Sequence, residues 1–361
     1  MNDLLANDFP INERSDRPLV TFALFTYNQE EYVREAVEAA FAQAYEPLEI
    51  ILSDDCSTDS TFSVLKEMVA QYKGPHHVVA QQTARNSGTF AHVLNVAKKA
   101  RGELIVLASG DDVSKPNRTS QLINAWKSTG AWGLYSRYDR IDKTGNLFSQ
   151  GEWSTSLLAP DYTLRKYFYL QDGEVNIVHG ATSAYDKRLF DYLTADAAQY
   201  ILSEDGVLSL LLSILNRRIV AIDQSLVLYR SHPGSLTNQG KQPFRQTIPG
   251  IKSDIYKAAQ YAKSCKERAQ FILNFHNNNS KESLRRINID EINTSIYGFE
   301  MQATWTQRRL SERLRFIGDS KTKRMAKWML PRLFGQTCFI LTKFVAKNIR
   351  YLAFRLTGGH E

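Results

Sequence analysis

The sequence has few cysteines and no long hydrophobic run, and these two shortages exclude several classes of protein. Cys56, Cys265 and Cys338 are far apart and odd in number, so they provide neither a disulfide framework nor a paired-cysteine zinc site. The most apolar stretch, residues 337–354, is broken by two lysines and an arginine, whereas a bilayer is crossed by roughly 18 to 20 apolar residues. We therefore expect reduced thiols and no transmembrane span.

The start of the chain also lacks the basic residues and continuous apolar core of a secretory signal, so we expect a cytoplasmic protein. The net charge of +7 is unevenly distributed, because residues 301–361 carry about +10 and the remainder about −3. A basic terminus attracts nucleic acid, anionic lipid or an acidic partner, and charge alone does not distinguish these partners.

Residues 19–135 alternate between short apolar, β-branched runs and segments of helical period, which predicts a parallel sheet flanked by helices. The strands are predicted at 19–28, 48–55, 76–82 and 102–112. Ligands of such sheets bind at the carboxyl ends of the strands, so the polar residues that follow these strands should meet at one edge.

The later part of the chain is predicted to add more elements of both kinds. Residues 151–175 are aromatic and irregular, which suits a substrate-facing stretch or a structural one. The other predictions are a helix at 118–130, a strand at 132–142, a turn at Gly145, a strand and turn at 178–190, a helix at 203–217, a strand hairpin at 218–232, and helices over 250–356 with Asn277, Asn278 and Asn279 as connector.

Two pairs of adjacent carboxylates end strands of the predicted sheet. Asp111 and Asp112 suit a hard divalent cation bridging to a diphosphate, with a solvated loop as the alternative. Asp54 and Asp55 end the second strand, and one of them can accept the imide N–H of a uracil or thymine ring. The alternative there is capping of the helix that follows.

Other polar residues follow in less specific contexts. The segment from Arg85 to Gly88 supplies a cation and a flexible backbone near the expected nucleotide. Glu204 and Asp205 open a predicted helix, where the helix dipole favours carboxylates. Asp205 can act there as general base toward an acceptor hydroxyl, or simply cap the helix.

The residues Arg230 and His232 close the predicted 218–232 hairpin. Arg230 is a candidate phosphate partner, and the imidazole of His232 can bind a metal or donate to phosphate. A lone histidine is more often structural.

Taken in order over residues 19–238, these motifs resemble those of the inverting family 2 glycosyltransferases with the GT-A fold. The motifs are Thr26-Tyr27-Asn28, Asp54-Asp55-Cys56-Ser57-Thr58-Asp59, Arg85-Asn86-Ser87-Gly88, Ser109-Gly110-Asp111-Asp112, His179-Gly180-Ala181-Thr182, Ser203-Glu204-Asp205 and Tyr229-Arg230-Ser231-His232. The resemblance implies nucleotide-sugar binding by Thr26, Tyr27, Asn28, Asp54, Asp55, Arg85, Gly88, Asp111 and Arg230. It further implies an acceptor side at Glu204, His179 and Gly180, a catalytic base at Asp205, and Mn²⁺ or Mg²⁺ held by Asp112, Asp111 and His232.

The sequence departs from this family pattern in three respects. Ser109 replaces the first of the three acids often found at the metal strand, and Cys56 stands where glycine is frequent. The Gln-Arg-any-any-Arg-Trp signature of processive polymerases is missing, so transfer of a single sugar is favoured over chain extrusion.

The basic C-terminal segment lies outside the resemblance. Helical spacing over 338–356 places Leu341, Val345 and Ile349 on one side and Lys343 and Lys347 on the other. We expect segment 320–356 to contact an anionic membrane surface, at the inner face of the cell membrane, as a lipid-linked acceptor would require. Packing against the catalytic domain or a second subunit is equally consistent.

The sequence therefore predicts a short N-terminal segment (1–17), an α/β catalytic domain with the GT-A fold (18–240) and an all-helical extension (241–361). The expected enzyme is a metal-dependent hexosyltransferase that uses a nucleoside-diphosphate sugar, UDP-type favoured, and a saccharide or lipid-linked saccharide acceptor of surface polysaccharide synthesis. One alternative is a sugar-1-phosphate nucleotidyltransferase, although the first strand and loop lack its glycine-rich phosphate loop. Another is a basic nucleic-acid-binding protein, which leaves the carboxylate clusters unexplained because they repel phosphate. We therefore expect no nucleic-acid partner.

Overall fold

A computed structural model describes residues 4–6, 17–153, 178, 180–193, 204–232, 248–279, 284 and 289–318. The strands are β1 (Leu4–Ala6), β2 (Val20–Thr26), β3 (Leu48–Asp54), β4 (His77–Gln82), β5 (Leu104–Ser109), β6 (Val113–Ser114), β7 (Gly133–Ile141), β8 (Leu147–Glu152), β9 (Ser183–Asp186) and β10 (Ile219–Arg230). The helices are α1 (Val33–Phe41), α2 (Thr61–Gln71), α3 (Thr89–Lys99), α4 (Arg118–Thr129), α5 (Glu204–Ile214), α6 (Ile248–Asn278), α7 (Ile289–Ala303) and α8 (Leu310–Gly318).

The ten strands of the described residues belong to one mixed sheet, in the order β1-β4-β3-β2-β5-β9-β7-β10-β6, with β8 paired to β7. Strands β4, β3, β2 and β5 run parallel to one another, and β7 runs parallel to β10, while the remaining pairs are antiparallel. The predicted class, a mixed sheet flanked by helices and followed by further helices, is confirmed.

A continuous apolar core holds the parallel part of this sheet rigid. Phe22, Leu24, Ile50, Leu52 and Leu104 lie in one cluster of buried residues, together with apolar residues of α1, α2 and α4. Each such side chain contributes about 1.5–3 kcal/mol when it is fully buried. The strand ends that follow this core are therefore fixed relative to one another.

The predicted hairpin at 218–232 is wrong. The segment is one strand, β10, which runs parallel to β7 with register shifts around Ser225. The polar residues beside Ser225, which suggested a turn in the sequence, lie at this irregularity, where Asp223 forms an ion pair with Arg137. The strand therefore carries Arg230 to the same edge of the sheet as the ends of β2, β3 and β5.

The chain divides into two compact units. The first contains the sheet and helices α1 to α5. The second contains α7, α8 and α6 as far as Asn277, and in it Phe316 packs against Trp305 and Tyr297 with ring centroids 5.9 and 5.7 Å apart. The boundary predicted at 240 falls outside the described residues and stays a prediction.

The helical part differs in one respect from the sequence prediction. Asn277 and Asn278 belong to α6 rather than to a connector. Within the described residues, none of the helices is long and apolar enough to cross a membrane. Segment 320–356, predicted to contact a membrane, lies outside the described residues.

Candidate active site

Strands β2, β3 and β5 end side by side, so their polar residues meet at one edge as predicted. Thr26 is the register partner of Asp54, and Phe25 is the partner of Ser109. Gly110 continues this edge by donating its N–H to the carbonyl of Phe25 over 2.9 Å. A Cβ at Gly110 would lie 2.6 Å from Thr26 Cγ2, so the close approach of the two strand ends requires glycine.

The loop after β2 is bonded to the loop after β3. The main-chain N–H of Asn28 donates to Ser57 Oγ over 2.8 Å, and Asn28 Oδ1 accepts from the N–H of Thr58 over 2.8 Å. Asn28 adopts a positive φ of 50°, a conformation that asparagine tolerates better than most residues. The adjacent Tyr27 ring is 46% exposed, so it presents an aromatic surface at this edge.

Asp54 is fully buried, and four donors of the chain point at its carboxylate. Oδ1 accepts from the hydroxyls of Thr26 (3.0 Å) and Ser57 (2.5 Å), whereas Oδ2 accepts from the Ser57 N–H and from Gln82 Nε2, both over 2.8 Å. A carboxylate offers about four acceptor positions, so those of Asp54 are all in use.

Asp55 is also buried and joins the end of β3 to the loop before α3. It accepts hydrogen bonds from Thr83 Oγ1 (2.9 Å), from the N–H and hydroxyl of Ser87 (3.0 and 2.8 Å) and from the Gly88 N–H (2.9 Å). Gly88 has a φ of 80°, and the Arg85 side chain is exposed on the loop. Base recognition by either Asp54 or Asp55 would therefore require one of these internal bonds to be exchanged.

Asp111 is held by side chains from two elements. Ser109 Oγ donates to its Oδ1 over 2.5 Å, and His232 Nε2 lies 3.0 Å from its Oδ2. Burial acts to raise the pKa of Asp111, but the hydrogen bonds from His232 and Ser109 outweigh it and lower this pKa below its usual value. Asp111 is therefore an ionised carboxylate at neutral pH.

Asp112 differs sharply from its neighbour. Its Oδ1 accepts the main-chain N–H of Arg230 over 2.8 Å, while its buried Oδ2 has no hydrogen-bond partner among the described residues. Burial, and then the charge of Asp111, raise the pKa of Asp112 well above its usual value. A buried carboxylate oxygen without a partner costs desolvation free energy, and a ligand such as a cation would offset this cost.

The metal prediction can be tested against this geometry. No three His, Cys, Asp or Glu side chains of the described segments converge as a metal-ligand set. The Asp112 Oδ2 atom nevertheless fits a hard cation, because Mg²⁺ is commonly bound by one or two carboxylates together with substrate phosphates. His232 instead bonds to Asp111 and packs on Tyr32, with ring centroids 4.6 Å apart.

The guanidinium of Arg230 is buried and bonded within the chain. The side chain is 2% exposed, and Nη2 lies 2.5 Å from the Glu35 carboxylate. Its Nε donates to the carbonyl of Asp111 over 2.8 Å, and Nη1 donates to the carbonyls of Asp142 and Lys143, each over 3.3 Å. Four of its five N–H groups are thus used within the chain, and the phosphate contact of Arg230 stays a prediction.

Glu204 and Asp205 form the first turn of α5 beside the turn Gly180–Thr182. A Cβ at Gly180 would collide with Glu204 Oε1, so this glycine permits the close contact. Burial, and then the charge of Asp205, raise the pKa of Glu204 to about 8. Glu204 therefore keeps its proton to a higher pH than an ordinary glutamate does. His179, also predicted on the acceptor side, lies outside the described residues.

Several residues at this site carried no recognisable sequence signal. Glu35 lies on the exposed face of α1, and Tyr32 directly precedes that helix. Arg118 begins α4 and is fully buried, and its burial lowers its pKa to about 9. A fully buried arginine is rare, yet in the sequence Arg118 looks like an ordinary polar residue in the first turn of a helix.

Comparisons with known proteins bear on the family and on the fold. The family model described as glycosyl transferase family 2 matches residues 21–194. An uncharacterized protein of Mycobacterium tuberculosis is 43% identical over 88 residues, which cover 24% of this chain and 25% of that protein. The succinoglycan biosynthesis protein ExoO of Rhizobium meliloti is 30% identical over 145 residues, covering 37% of this chain and 38% of that protein. The matched region thus spans about a quarter to two fifths of the length of these relatives.

Among solved structures, residues 1–349 of S. aureus TarS, crystallised in complex with UDP, align with a TM-score of 0.50 and 15% sequence identity. The alignment covers 94% of this chain and 92% of that one. At this identity the likeness concerns the fold alone, which is GT-A-like.

Proposed function

Because residues 21–194 belong to glycosyl transferase family 2, we propose that the protein transfers a single hexosyl unit, with inversion, from a nucleoside-diphosphate sugar to a saccharide acceptor. One observation carries this proposal: the buried Asp112 Oδ2, which has no hydrogen-bond partner in the described segments, lies at a strand-end edge that also holds the exposed Tyr27 and Arg85. Asp205 opens a helix within the same compact unit.

The reaction we propose is a single displacement. Asp205 accepts the proton of the acceptor hydroxyl, the hydroxyl oxygen forms a bond to the anomeric carbon, and the bond from that carbon to the diphosphate oxygen breaks. The nucleoside diphosphate leaves with the bonding electron pair. Burial and the neighbouring charge raise the pKa of Glu204 to about 8, so its carboxyl group can donate a hydrogen bond to the acceptor at neutral pH.

A divalent cation, Mn²⁺ or Mg²⁺, fits this scheme. We propose that Asp112 holds it through Oδ2, with Asp111 and His232 beside it. A cation bound there neutralises negative charge that develops on the departing diphosphate. Arg230 helps to fix these two carboxylate residues, since its main-chain N–H donates to Asp112 Oδ1 and its Nε donates to the carbonyl of Asp111.

On the donor side we propose that the exposed Tyr27 ring stacks on the base and that Arg85 pairs with the nucleotide. Thr26, Asn28, Asp54, Asp55 and Gly88 then shape the pocket, with Asp54 or Asp55 accepting a uracil N–H by exchanging one internal bond. This arrangement favours a UDP-type donor.

The test is a thermal-shift panel of UDP, GDP, CDP, ADP and TDP, each with and without Mn²⁺. We expect one diphosphate, UDP first, to raise the unfolding temperature in a Mn²⁺-dependent manner. The matching nucleotide sugar should then release its diphosphate on addition of a saccharide acceptor. If no diphosphate stabilises the protein, the proposed function is wrong.

We also propose that the acceptor belongs to surface polysaccharide synthesis and is saccharide or lipid-linked. The match to the succinoglycan biosynthesis protein supports this context. A lipid-linked acceptor requires access to a membrane surface, for which the basic segment 320–356 is suited by its sequence. In the full chain, Lys343→Glu with Lys347→Glu should abolish sedimentation with anionic vesicles; if sedimentation persists, the segment packs on protein instead.

A further inference from the structure

Arg118 is the largest fully buried side chain of the described residues, and the reaction scheme above assigns it no part. A guanidinium in the protein interior is costly unless its N–H groups find acceptors. Nη1 donates to Ser114 Oγ over 2.8 Å, and Nη2 donates to the carbonyl of Leu107 over 2.6 Å. These two acceptors lie on either side of Asp111 and Asp112 in the chain, so Arg118 braces the segment that carries both carboxylates.

The same guanidinium reaches the other side of the site. Nη2 lies 3.1 Å from the carbonyl of Ala181 and 3.4 Å from that of Ser183. Ala181 is the central residue of the turn Gly180–Thr182, and Gly180 abuts the Glu204 carboxylate. One side chain therefore bridges the strand end of the donor side and the turn that supports the acceptor side.

The geometry of this bridge depends on arginine. A planar guanidinium directs its donors in a rigid fork, whereas the ammonium of lysine is a single point charge on a flexible stem. Lysine can keep the positive charge at this position but cannot hold Ser114 Oγ and the carbonyls of Leu107 and Ala181 in the same fixed arrangement.

We propose that Arg118 is a positioning residue that sets the separation between the donor-side carboxylates and the acceptor-side pair Glu204-Asp205. The inference rests on the proposed glycosyl transfer. Attack by a saccharide hydroxyl requires the donor-side carboxylates and the acceptor-side pair to be correctly placed relative to each other. Adventitious hydrolysis of the donor needs less alignment, because water is small and can approach in many orientations. The ratio of sugar transfer to donor hydrolysis, called the partition below, therefore reports on this separation.

Arg118→Lys tests the proposal. A small misplacement of reacting groups can lower a rate by about 100-fold, so we expect kcat for sugar transfer to fall by that order. The Kd of the nucleoside diphosphate with Mn²⁺ should stay near the wild-type value, and hydrolysis should rise relative to transfer. Ser114→Ala removes one acceptor and leaves the buried charge in place. It should shift the same partition by a smaller factor. This second variant tests the proposal if Arg118→Lys does not fold.

The matched control is Leu122→Ala, which leaves a cavity on the buried face of the same helix and removes none of the acceptors of Arg118. We expect it to lower the unfolding temperature and leave the partition unchanged. The inference is overturned if Arg118→Lys and Ser114→Ala keep the wild-type partition, or if Leu122→Ala shifts it equally. A wild-type protein that neither binds diphosphates nor transfers sugar would instead refute the proposed function.

Discussion

The main-chain N–H of Arg230 donates to Asp112 Oδ1 over 2.8 Å, across 118 positions of sequence. This bond fixes the carboxylate by one oxygen and leaves Oδ2 buried without a partner in the described part of the chain. The side chain of Arg230 donates to the carbonyl of Asp111 and reaches Glu35 on α1. The residue thus orients Asp112 through its backbone while its guanidinium anchors the strand end.

Glu35→Gln tests the structural role of this guanidinium. Glu35 is half exposed, so loss of its charge should lower the free energy of unfolding by only about 1 kcal/mol. Diphosphate affinity should stay near wild type, because Arg230 remains tied to three carbonyl groups. Urea unfolding and diphosphate titration measure the two effects; a large gain in affinity would show that Glu35 withholds Arg230 from phosphate.

Asp112→Asn should separate cation binding from folding. Asparagine retains an acceptor for the Arg230 N–H but replaces the negatively charged Oδ2 position. We therefore expect the Mn²⁺-dependent part of diphosphate stabilisation to disappear, while the free variant unfolds at no lower temperature than wild type. Asp191→Asn, at an exposed position between β9 and α5, is the control. A variant that responds to Mn²⁺ as wild type does would remove Asp112 from the metal site.

Asp205→Asn should strongly slow transfer and preserve donor binding. General-base catalysis typically contributes about 10² to 10⁴-fold, so kcat should fall within that range. Diphosphate titration should give the wild-type Kd, because the proposed donor contacts come from the ends of β2, β3 and β5. Turnover at the wild-type rate would exclude Asp205 as base, and Asp191→Asn again serves as the control.

Glu204 should make stability depend on pH. Its pKa is about 8 in the folded chain against 4.5 for an unperturbed glutamate. Between these values the native state binds a proton that the unfolded state does not, so the stability from this group is full below pH 4.5 and is lost as the pH rises through 8. Glu204→Gln should therefore gain unfolding temperature relative to wild type at pH 9 and little at pH 5. An equal difference at both pH values would contradict the buried, protonated state.

The strands of the parallel sheet were predictable because continuous apolar runs such as those around Phe22, Ile50 and Leu104 have few other stable arrangements. The convergence of the residues that follow these strands was predictable as well, because neighbouring parallel strands end at the same edge of the sheet. The segment 218–232 misled because a polar interruption at Asp223 resembles a turn. The ion pair with Arg137 that accommodates this residue joins positions 86 apart in sequence, and local pattern does not reveal it.

The hydrogen bonds that already use the acceptor positions of the site carboxylates were not predictable, for a similar reason. Asp54 looks available in the sequence, but Gln82 and Thr26, from the two neighbouring strands, and Ser57 fill its acceptor positions. The ion pair of Arg230 with Glu35 is likewise not evident from the sequence. Such pairings depend on register between distant segments, so the sequence indicates which residues reach the edge and not which of them remain open to a ligand.

The attachment of the Arg85–Gly88 loop to Asp55 has a consequence for divergence among related enzymes. Two of its bonds come from the main-chain N–H groups of Ser87 and Gly88, which any residue except proline can supply. Arg85 and Asn86 can therefore be exchanged without detaching the loop from the sheet. Mutation can alter the exposed side chains of this loop while the loop stays anchored. If Arg85 pairs with the nucleotide as proposed, new donor preferences can evolve at this position with little loss of stability.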